Sequence, residues 1–215
     1  MIVMDATLTF SNGTTYQMSY NNTKSIETKF IDRKDIAFPC FGVISNSGSI
    51  SIIDSDGTIK RLGETNELKK QAAISISLRN TKTSTSNLVC EMFVRNWGYD
   101  DDSKIANAEL TDGLEKMQDI TIVPLNKDAK TGGHKTGEEI YAFLQSQTVS
   151  NGFDMATFDE LDEQTKTHIS KFLFKFAYID SKSLWRAWED FCIATQTYVF
   201  KQRDGKIVCV YKDGK

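Results

Sequence analysis

The chain has 215 residues, of which 40% are hydrophobic and 26% are charged, a composition that is typical of globular proteins and excludes an intrinsically disordered one. The net charge is −3, and neither half of the sequence has the excess of lysine and arginine that is typical of nucleic-acid binding. No stretch approaches the roughly 18 apolar residues that a membrane span requires. We therefore expect no membrane association and no sequence-specific nucleic-acid binding.

The first half of the sequence predicts β-strands, because apolar and β-branched residues alternate with polar ones between turn signals. Asn12-Gly13 indicates a hairpin. Asn46-Ser47-Gly48 and Asp56-Gly57 indicate two further tight turns within a meander. The predicted strands cover residues 6–10, 16–20, 41–45, 49–53, 58–62, 73–80, 88–97 and 105–110. Several short strands at such spacing favour a barrel or a sandwich.

The pattern changes at Asp112, after which helices are predicted. Thr111 or Asp112 is a candidate cap for a short helix through Gln118, and Thr136 is a candidate cap for a helix over 137–147. Further elements are an extended segment at 121–125, a loop at 126–137, helices at 161–173 and 183–195, and a hairpin of strands 197–202 and 206–211 around Asp204-Gly205.

These elements predict an α+β protein with two domains. Residues 1–111 form an antiparallel β-barrel, and residues 112–215 form a smaller α+β domain. Because the sequence stops directly after the last predicted strand, we expect either a piece of a longer protein or a fold that a partner chain completes.

Two motifs resemble ligand-binding loops but lack the required spacing. Gly132-Gly133-His134-Lys135-Thr136 precedes a helix, but His134 separates the glycine from the lysine, which argues against a phosphate-binding loop. The acidic turns that begin at Asp54 and at Asp100 have a threonine where a calcium loop needs its twelfth-position glutamate. A flexible loop and two solvated turns are the better interpretations.

The remaining reactive side chains also fail to form a recognisable catalytic or metal-binding pattern. His134 and His168 are the only histidines and lie in unrelated contexts, while Cys40, Cys90, Cys192 and Cys209 are too widely spaced for a zinc finger. We expect four reduced cysteines, most of them buried. Trp185 and Trp188 share a helix face, which usually indicates a core or a protein interface. The sequence thus predicts no catalytic residue, no cofactor and no metal.

Two longer segments carry a more specific pattern. The first runs from Glu91-Met92-Phe93-Val94-Arg95-Asn96-Trp97-Gly98-Tyr99-Asp100 through Asp102-Ser103-Lys104-Ile105 to Ala108-Glu109-Leu110-Thr111-Asp112-Gly113-Leu114. The second joins Ser183-Leu184-Trp185-Arg186-Ala187-Trp188-Glu189-Asp190-Phe191-Cys192 to Thr197-Tyr198-Val199-Phe200 and Arg203-Asp204-Gly205-Lys206-Ile207. With the helix at 136–147 between them, these segments resemble bacteriophage tail hub proteins over residues 40–211.

This resemblance implies a β-barrel followed by a smaller α+β domain. It also implies a non-enzymatic ring subunit on the tail axis that joins the tail tube to the baseplate or tip. Members often form trimers whose paired barrels mimic sixfold symmetry. We therefore expect a homo-oligomer, a trimer or a hexamer, that binds other tail proteins in the virion after assembly in the host cytoplasm. This sequence is shorter than hub proteins that carry further domains.

Two other functions stay open at this point. A carbohydrate-binding or adhesin module at a tail tip would use Trp97 or Tyr99 to stack on sugars. An enzyme that acts on cell-wall glycan would use a carboxylate pair, and the candidates are Asp159, Glu160, Asp162 and Glu163. Carboxylates so close together at a helix start are more often caps.

Overall fold

The structure, a computed structural model, describes residues 2–10, 13–18, 22–29, 41–64, 72–83, 85–122, 134–174 and 182–212. The contacts of the chain divide it into two compact units. Unit 1 comprises Met1–Phe30 and Asn46–Gly113, and unit 2 comprises Ile31–Ser45 and Leu114–Lys215. Within the described residues, no helix is both long and apolar enough to cross a bilayer.

The described residues of unit 1 form a seven-stranded antiparallel sheet with one short helix, α1 (Thr58–Glu64). The strand order is β2-β1-β6-β7-β8-β5-β3. The strands are β1 (Ile2–Thr9), β2 (Thr15–Met18), β3 (Thr23–Lys29), β5 (Ser47–Ile53), β6 (Ala73–Asn80), β7 (Ser86–Asp100) and β8 (Ile105–Thr111); β4 (Gly42–Ile44) belongs to unit 2.

The connectivity forces this sheet to curl. The two edge strands, β2 and β3, follow each other in the chain and are joined across only Met18 to Thr23. Five residues span at most about 18 Å, whereas six strand spacings in a flat sheet cover about 29 Å. Asn22 shows the consequence, because its side chain donates to the carbonyl of Gln17 (3.4 Å) while its own carbonyl accepts from the Ile53 amide (2.7 Å).

The predicted barrel is thus observed as a curled antiparallel sheet. No ladder joins β2 to β3 within the described residues, so a closed barrel is not observed there. The side chains on the concave face form the core of unit 1, as the period-2 alternation predicts. This core contains Ala6, Leu8, Phe10, Met18, Ile50, Ile52, Ile59, Ala72, Ile74, Ile76, Cys90, Met92, Val94, Ala106 and Leu110.

The strand predicted at 58–62 is wrong, because these residues form α1. Ile59 and Leu62 are three residues apart and pack against the unit 1 core, which is helical spacing. The fully buried Asp54 accepts hydrogen bonds from the amides of Ile59 (3.0 Å) and Lys60 (2.9 Å). A carboxylate on the first amides of a helix is a strong start signal.

The hairpin turn predicted at Asn46-Ser47-Gly48 is also wrong. β4 and β5 do not pair; β5 lies between β3 and β8 in unit 1, whereas β4 pairs in parallel with β11 (Thr197–Lys201) of unit 2. Asn46 instead donates its amide and side-chain N–H groups to Asp112 Oδ2, both at 2.7 Å. Asp112 therefore holds Asn46 in place.

In the part of unit 2 that the structure describes, a three-stranded sheet combines with three helices. The sheet has the order β12-β11-β4, with β12 (Ile207–Tyr211) antiparallel to β11. The helices are α2 (Gly137–Ser150), α3 (Glu163–Ile169) and α4 (Leu184–Thr195); 3₁₀ turns cover Leu114–Gln118 and Phe158–Glu160, and β9 (Lys135–Thr136) pairs with β10 (Leu173–Phe174). The helix predicted at 161–173 is therefore shorter than expected, because β10 begins at Leu173.

The core of unit 2 centres on aromatic side chains from α2 and α4. Tyr141, Trp188 and Phe191 pack edge to face or tilted with ring centroids 5.5–6.3 Å apart. The indole N–H of Trp188 donates to the hydroxyl of Thr148 at 2.9 Å, and Tyr141 donates to the carbonyl of Ala156 at 2.7 Å. The two polar rings are thus satisfied inside an apolar core.

Candidate functional site

The long strand β7 offers the clearest exposed surface of unit 1. The β8 ladder ends at Thr111, opposite Phe93, so it does not reach residues 86–92 of β7, which pair with β6 on their other side. We call residues 86–92 the β7 edge. Among the described strands, none pairs with the β7 edge on the side of β8. Such a strand edge suits strand addition by another chain.

An exposed leucine lies on the β7 edge. Leu88 is 65% exposed, and it faces the outer side of the sheet because its partner Ser77 alternates with the buried Ile76. Asp5, opposite Ser77 on the next strand, is ion-paired with Arg79 at 2.5 Å. The hydrogen bond from Arg79 lowers the pKa of the Asp5 carboxyl below its ordinary value. An exposed apolar side chain with charged side chains on the same face of the sheet is typical of a protein contact surface.

The aromatic residues considered for sugar stacking lie on the core-facing side of β7. Trp97 and Tyr99 pair with Ala108 and Ala106, which lie on the core side of β8. Both rings are partly buried and pack against the unit 1 core. The Tyr99 hydroxyl also donates to the carbonyl of Asp54 at 3.5 Å. Trp97 also borders a groove of about 290 Å³ in unit 1, so sugar stacking there stays a prediction.

The acidic group near residue 160 serves as caps and ion pairs. Glu160 bonds the Thr157 amide (2.7 Å) and Lys206 (2.6 Å), and these contacts, the lysine first, lower the pKa of Glu160 to about 2. Asp162 caps α3 through the amide of Thr165 at 3.0 Å. A general acid must hold a proton near neutral pH, so Glu160 is unsuited to that role.

The two acidic turns also hold local structure. Asp54 and Asp56 bond the amides at the start of α1, and the hydrogen bond from Thr58 lowers the pKa of Asp56. Asp100 accepts from the Ser103 hydroxyl at 2.6 Å and from two following amides, and the Ser103 contacts lower its pKa. Asp101 is ion-paired with Lys60. These carboxylates are engaged as turn and helix caps.

The structure does not bring the histidines and cysteines together as a metal site. His134 is exposed, whereas His168 stacks on Tyr211 in unit 2. Cys90, Cys192 and Cys209 are buried free thiols, and burial raises the pKa of Cys209 to about 12. Cys40 lies outside the described residues. Among the residues that are described, no group of three His, Cys, Asp or Glu side chains could hold a metal.

The described residues of the glycine-rich motif before α2 form a helix cap. Gly132 and Gly133 lie outside the described residues. Thr136 accepts from the Glu139 amide at 3.2 Å, and Glu139 accepts from the Thr136 amide at 2.8 Å, which is a complete capping box. The cap predicted at Thr136 is therefore confirmed. Trp188 lies in the core and Trp185 packs against it while partly buried.

Two parts of the unit 1 sheet were not predicted from the sequence. The first is β3, whose polar sequence Thr-Lys-Ser-Ile-Glu-Thr-Lys suits a solvent-facing edge strand. The second is the two ends of β7, which was predicted at 88–97 and is observed at Ser86–Asp100, so that Ser86 and Asn87 of the β7 edge were missed. The threonine- and serine-rich residues before Leu88 carry only a weak strand signal, and the long ladder with β6 shows the extension.

No protein-family model and no curated protein sequence matches this chain. Comparison with solved structures shows that the chain has the fold of two tail proteins. The prophage MuSo2 43 kDa tail protein from Shewanella oneidensis is matched over 96% of this chain and 52% of its own, with a TM-score of 0.51 and 12% identity. The tail protein from Neisseria meningitidis MC58 is matched over 97% of this chain and 51% of its own, with a TM-score of 0.50 and 10% identity.

This chain therefore spans about half the length of each of these tail proteins. The similarity extends over both units of the chain, since almost all of its residues are covered. The resemblance to phage tail proteins that the sequence predicted is confirmed at the level of the fold.

Proposed function

We propose that this protein is a non-enzymatic structural subunit of a phage or prophage tail. In the finer form of this proposal it is a hub-like ring subunit that connects the tail tube to the baseplate or tip. It acts in the virion after assembly in the host cytoplasm. The single observation that carries the proposal is the fold shared with two tail proteins over 96–97% of the chain.

The β7 edge supports assembly by self-contact. In a closed ring each favourable contact is repeated once per subunit, so an exposed strand edge with an apolar side chain contributes at every interface. A stable interface buries about 1,600 Å² in total. The curled sheet of unit 1 supplies a stiff body for this contact. We propose that the sheet closes into the predicted barrel when the subunits assemble.

The charge of the chain also suits a position on the tail axis. A lumen that passes DNA must not hold it, and a net charge of −3 gives little attraction for phosphates. The proposed partners are copies of this chain, as a trimer or a hexamer, and other tail proteins. Membranes and specific nucleic-acid sequences are not among them.

Light scattering coupled to size exclusion, together with negative-stain microscopy, tests the ring. The expected result is a concentration-dependent oligomer with rotational symmetry. A particle that stays monomeric at high concentration, and that binds no neighbouring tail protein when the two are co-expressed, would refute the proposal.

A matched pair of variants tests the β7 edge. Leu88→Lys should weaken assembly about tenfold or more, because burying a leucine contributes about 1.5–3 kcal/mol. Leu173→Lys is the control, since Leu173 is comparably exposed (57%) but lies on β10 in unit 2. Equal oligomerisation of both variants would show that the β7 edge is not the contact.

A further inference from the structure

A three-stranded ribbon of unit 1 extends past the rest of its sheet. β1 pairs with β2 only through residues 6–9, and β7 pairs with β8 only from Phe93 onward. Residues 2–5 of β1, 77–80 of β6 and 86–89 of β7 lie beyond both ladders, and we call them the ribbon. Four residues of strand make it about 13 Å long. Its two edges, on β1 and β7, pair with no further strand among those the structure describes.

The core of unit 1 ends where the ribbon begins. Along the inner face of β6, Ile74 and Ile76 are buried, whereas Leu78 is 43% exposed. On the outer face of the neighbouring strand, Leu88 is 65% exposed. The ribbon thus presents one apolar side chain to solvent on each face. Because the core covers neither leucine, burial of either one requires another surface.

The two ribbon edges lack the side chains that usually protect an open strand. Exposed edge strands commonly carry lysine, proline or other charges that oppose pairing with another chain. β3, the outermost strand on one side of the sheet, follows this rule with two lysines and a glutamate among its seven residues. Residues 2–5 and 86–89 contain no lysine, arginine or proline, and their one charged residue, Asp5, is ion-paired with Arg79.

The two edges also match each other in direction and in level. β1 and β7 both run antiparallel to β6, so they run parallel to each other. Val3 and Ser86 are both partnered with Arg79, which places them at the same distance from the free end of the ribbon. Rotation about a ring axis keeps the direction of each strand relative to that axis. In a ring, β7 of one copy and β1 of the next therefore meet as parallel strands.

We propose that residues 86–89 of one copy pair in parallel with residues 2–5 of the next copy, so that the ribbons join into one sheet around the ring. This inference rests on the proposed function and adds which strands meet. Each copy uses β7 on one side and β1 on the other, which is a heterologous contact that a rotation can close. A twofold contact of β7 with β7 would instead leave every β1 edge open. The pairing also places a strand beside the exposed Leu88.

Disulfide cross-linking of the full chain tests the pairing. Within one copy the Cα atoms of Val3 and Ser86 are two strand spacings apart, about 10 Å, which exceeds the limit of about 7 Å for a disulfide. In the proposed contact they are one spacing apart, about 5 Å. The double variant Val3→Cys with Ser86→Cys, oxidised with copper phenanthroline, should therefore give a ladder of covalent oligomers that ends at the number of subunits in the ring.

The single variants and the parent chain are the controls. Val3→Cys or Ser86→Cys alone should run as a monomer on a non-reducing denaturing gel, because each leaves one side of the contact without a thiol. The parent, whose cysteines in the described part of the chain are buried, sets the background. A ladder that requires both substitutions assigns the contact to β7 and β1.

Amide hydrogen exchange provides a second readout without substitutions. The outward-pointing amides of residues 2–5 and 86–89 should exchange about tenfold or more slowly at concentrations where the ring forms than after dilution, because hydrogen bonds between copies protect them. Residues 23–29 of β3 are the internal control, and their exchange should not change with concentration.

Three results would overturn the proposal. The first is an oligomer in light scattering without a covalent ladder, which removes the pairing and leaves the proposed function standing. The second is a covalent dimer from Ser86→Cys alone, which would assign a twofold contact of β7 with β7. The third is slowed exchange in β3 and not in the ribbon. A chain that stays monomeric also removes the pairing, and its binding to neighbouring tail proteins then decides the proposed function separately.

Discussion

Replacing Gly137 by alanine tests how closely α3 approaches the start of α2. Gly137 is the first residue of α2, is buried, and donates its amide to the carbonyl of Phe172 at 2.9 Å. A Cβ at this position would lie 2.3 Å from the backbone oxygen of Ile169 and 2.9 Å from its Cγ2. Ile169 is fully buried at the end of α3, so the backbone of α3 must move.

The expected cost follows from two opposing effects. Overpacking of a well-packed core costs about 1–3 kcal/mol, and the better helix propensity of alanine returns up to about 1 kcal/mol. Gly137→Ala should therefore lower the free energy of unfolding of unit 2 by about 1–2 kcal/mol. Gly98→Ala is the matched control, because a Cβ on Gly98 meets no atom within 4 Å. It should be neutral or slightly stabilising, since glycine is unfavourable inside a strand.

Urea unfolding followed by tryptophan fluorescence measures this difference, because Trp185 and Trp188 report on unit 2. Hydrogen exchange should show the loss of protection concentrated in α3 and the first turn of α2. If the free energy of unfolding of unit 2 in Gly137→Ala stays within about 0.5 kcal/mol of the parent, the close contact between α3 and this glycine is refuted.

Three further substitutions have defined outcomes. Thr148→Val should cost about 1–3 kcal/mol in urea unfolding, because the buried indole N–H of Trp188 loses its acceptor. Glu160→Gln should make the free energy of unfolding less dependent on pH between 4.5 and 2. The pKa of Glu160 is lowered to about 2 chiefly by Lys206, so this carboxylate stabilises the fold above its ordinary pKa of 4.5, and the contribution is lost as the pH falls toward 2. Asp54→Ala should cost about 0.5–2 kcal/mol and speed amide exchange in the first turn of α1.

For each of these three variants, one result would contradict the expectation. Thr148→Val should be compared with Thr167→Val on the exposed side of α3, and equal stabilities would exclude a buried hydrogen bond at Thr148. An unchanged pH profile between 4.5 and 2 in Glu160→Gln would exclude the depressed pKa. Unaltered exchange in α1 after Asp54→Ala would show that the Asp54 hydrogen bonds do not hold the helix, which would then depend on the packing of Ile59 and Leu62.

Elements with local signals were predicted well. The capping box that begins at Thr136 starts α2, and the apolar stripe of α4 (Leu184–Thr195) lies in the core of unit 2. The hairpin of β11 and β12 forms around Asp204 and Gly205, where Gly205 has a φ of +94°. In each case the determining atoms lie within a few residues of one another, so the pattern is visible in the sequence.

Elements that depend on distant partners were predicted less well. The apolar alternation of residues 41–45 predicted a strand correctly, but its partner is β11 rather than its neighbour β5. The apolar pattern of α1 is too short to distinguish a helix from a strand in the sequence. The hydrogen bonds from the first amides of α1 to the buried Asp54 favour the helix. Glu160 and Asp162 act as caps, as predicted, whereas Lys206, the ion-pair partner of Glu160, lies in the distant turn between β11 and β12.

The linear order of residues was enough to establish a mixed α+β protein, the turns, most helix starts and the resemblance to tail proteins. These depend on alternation, spacing and hydrogen bonds between near neighbours, which repeat in any chain with the same pattern. Strand pairing, the curl of the unit 1 sheet, the exposed β7 edge and the stack of His168 on Tyr211 arise when distant segments meet. Many pairings satisfy the same local pattern, and the chosen set is the one that buries both apolar cores while keeping their polar groups hydrogen-bonded.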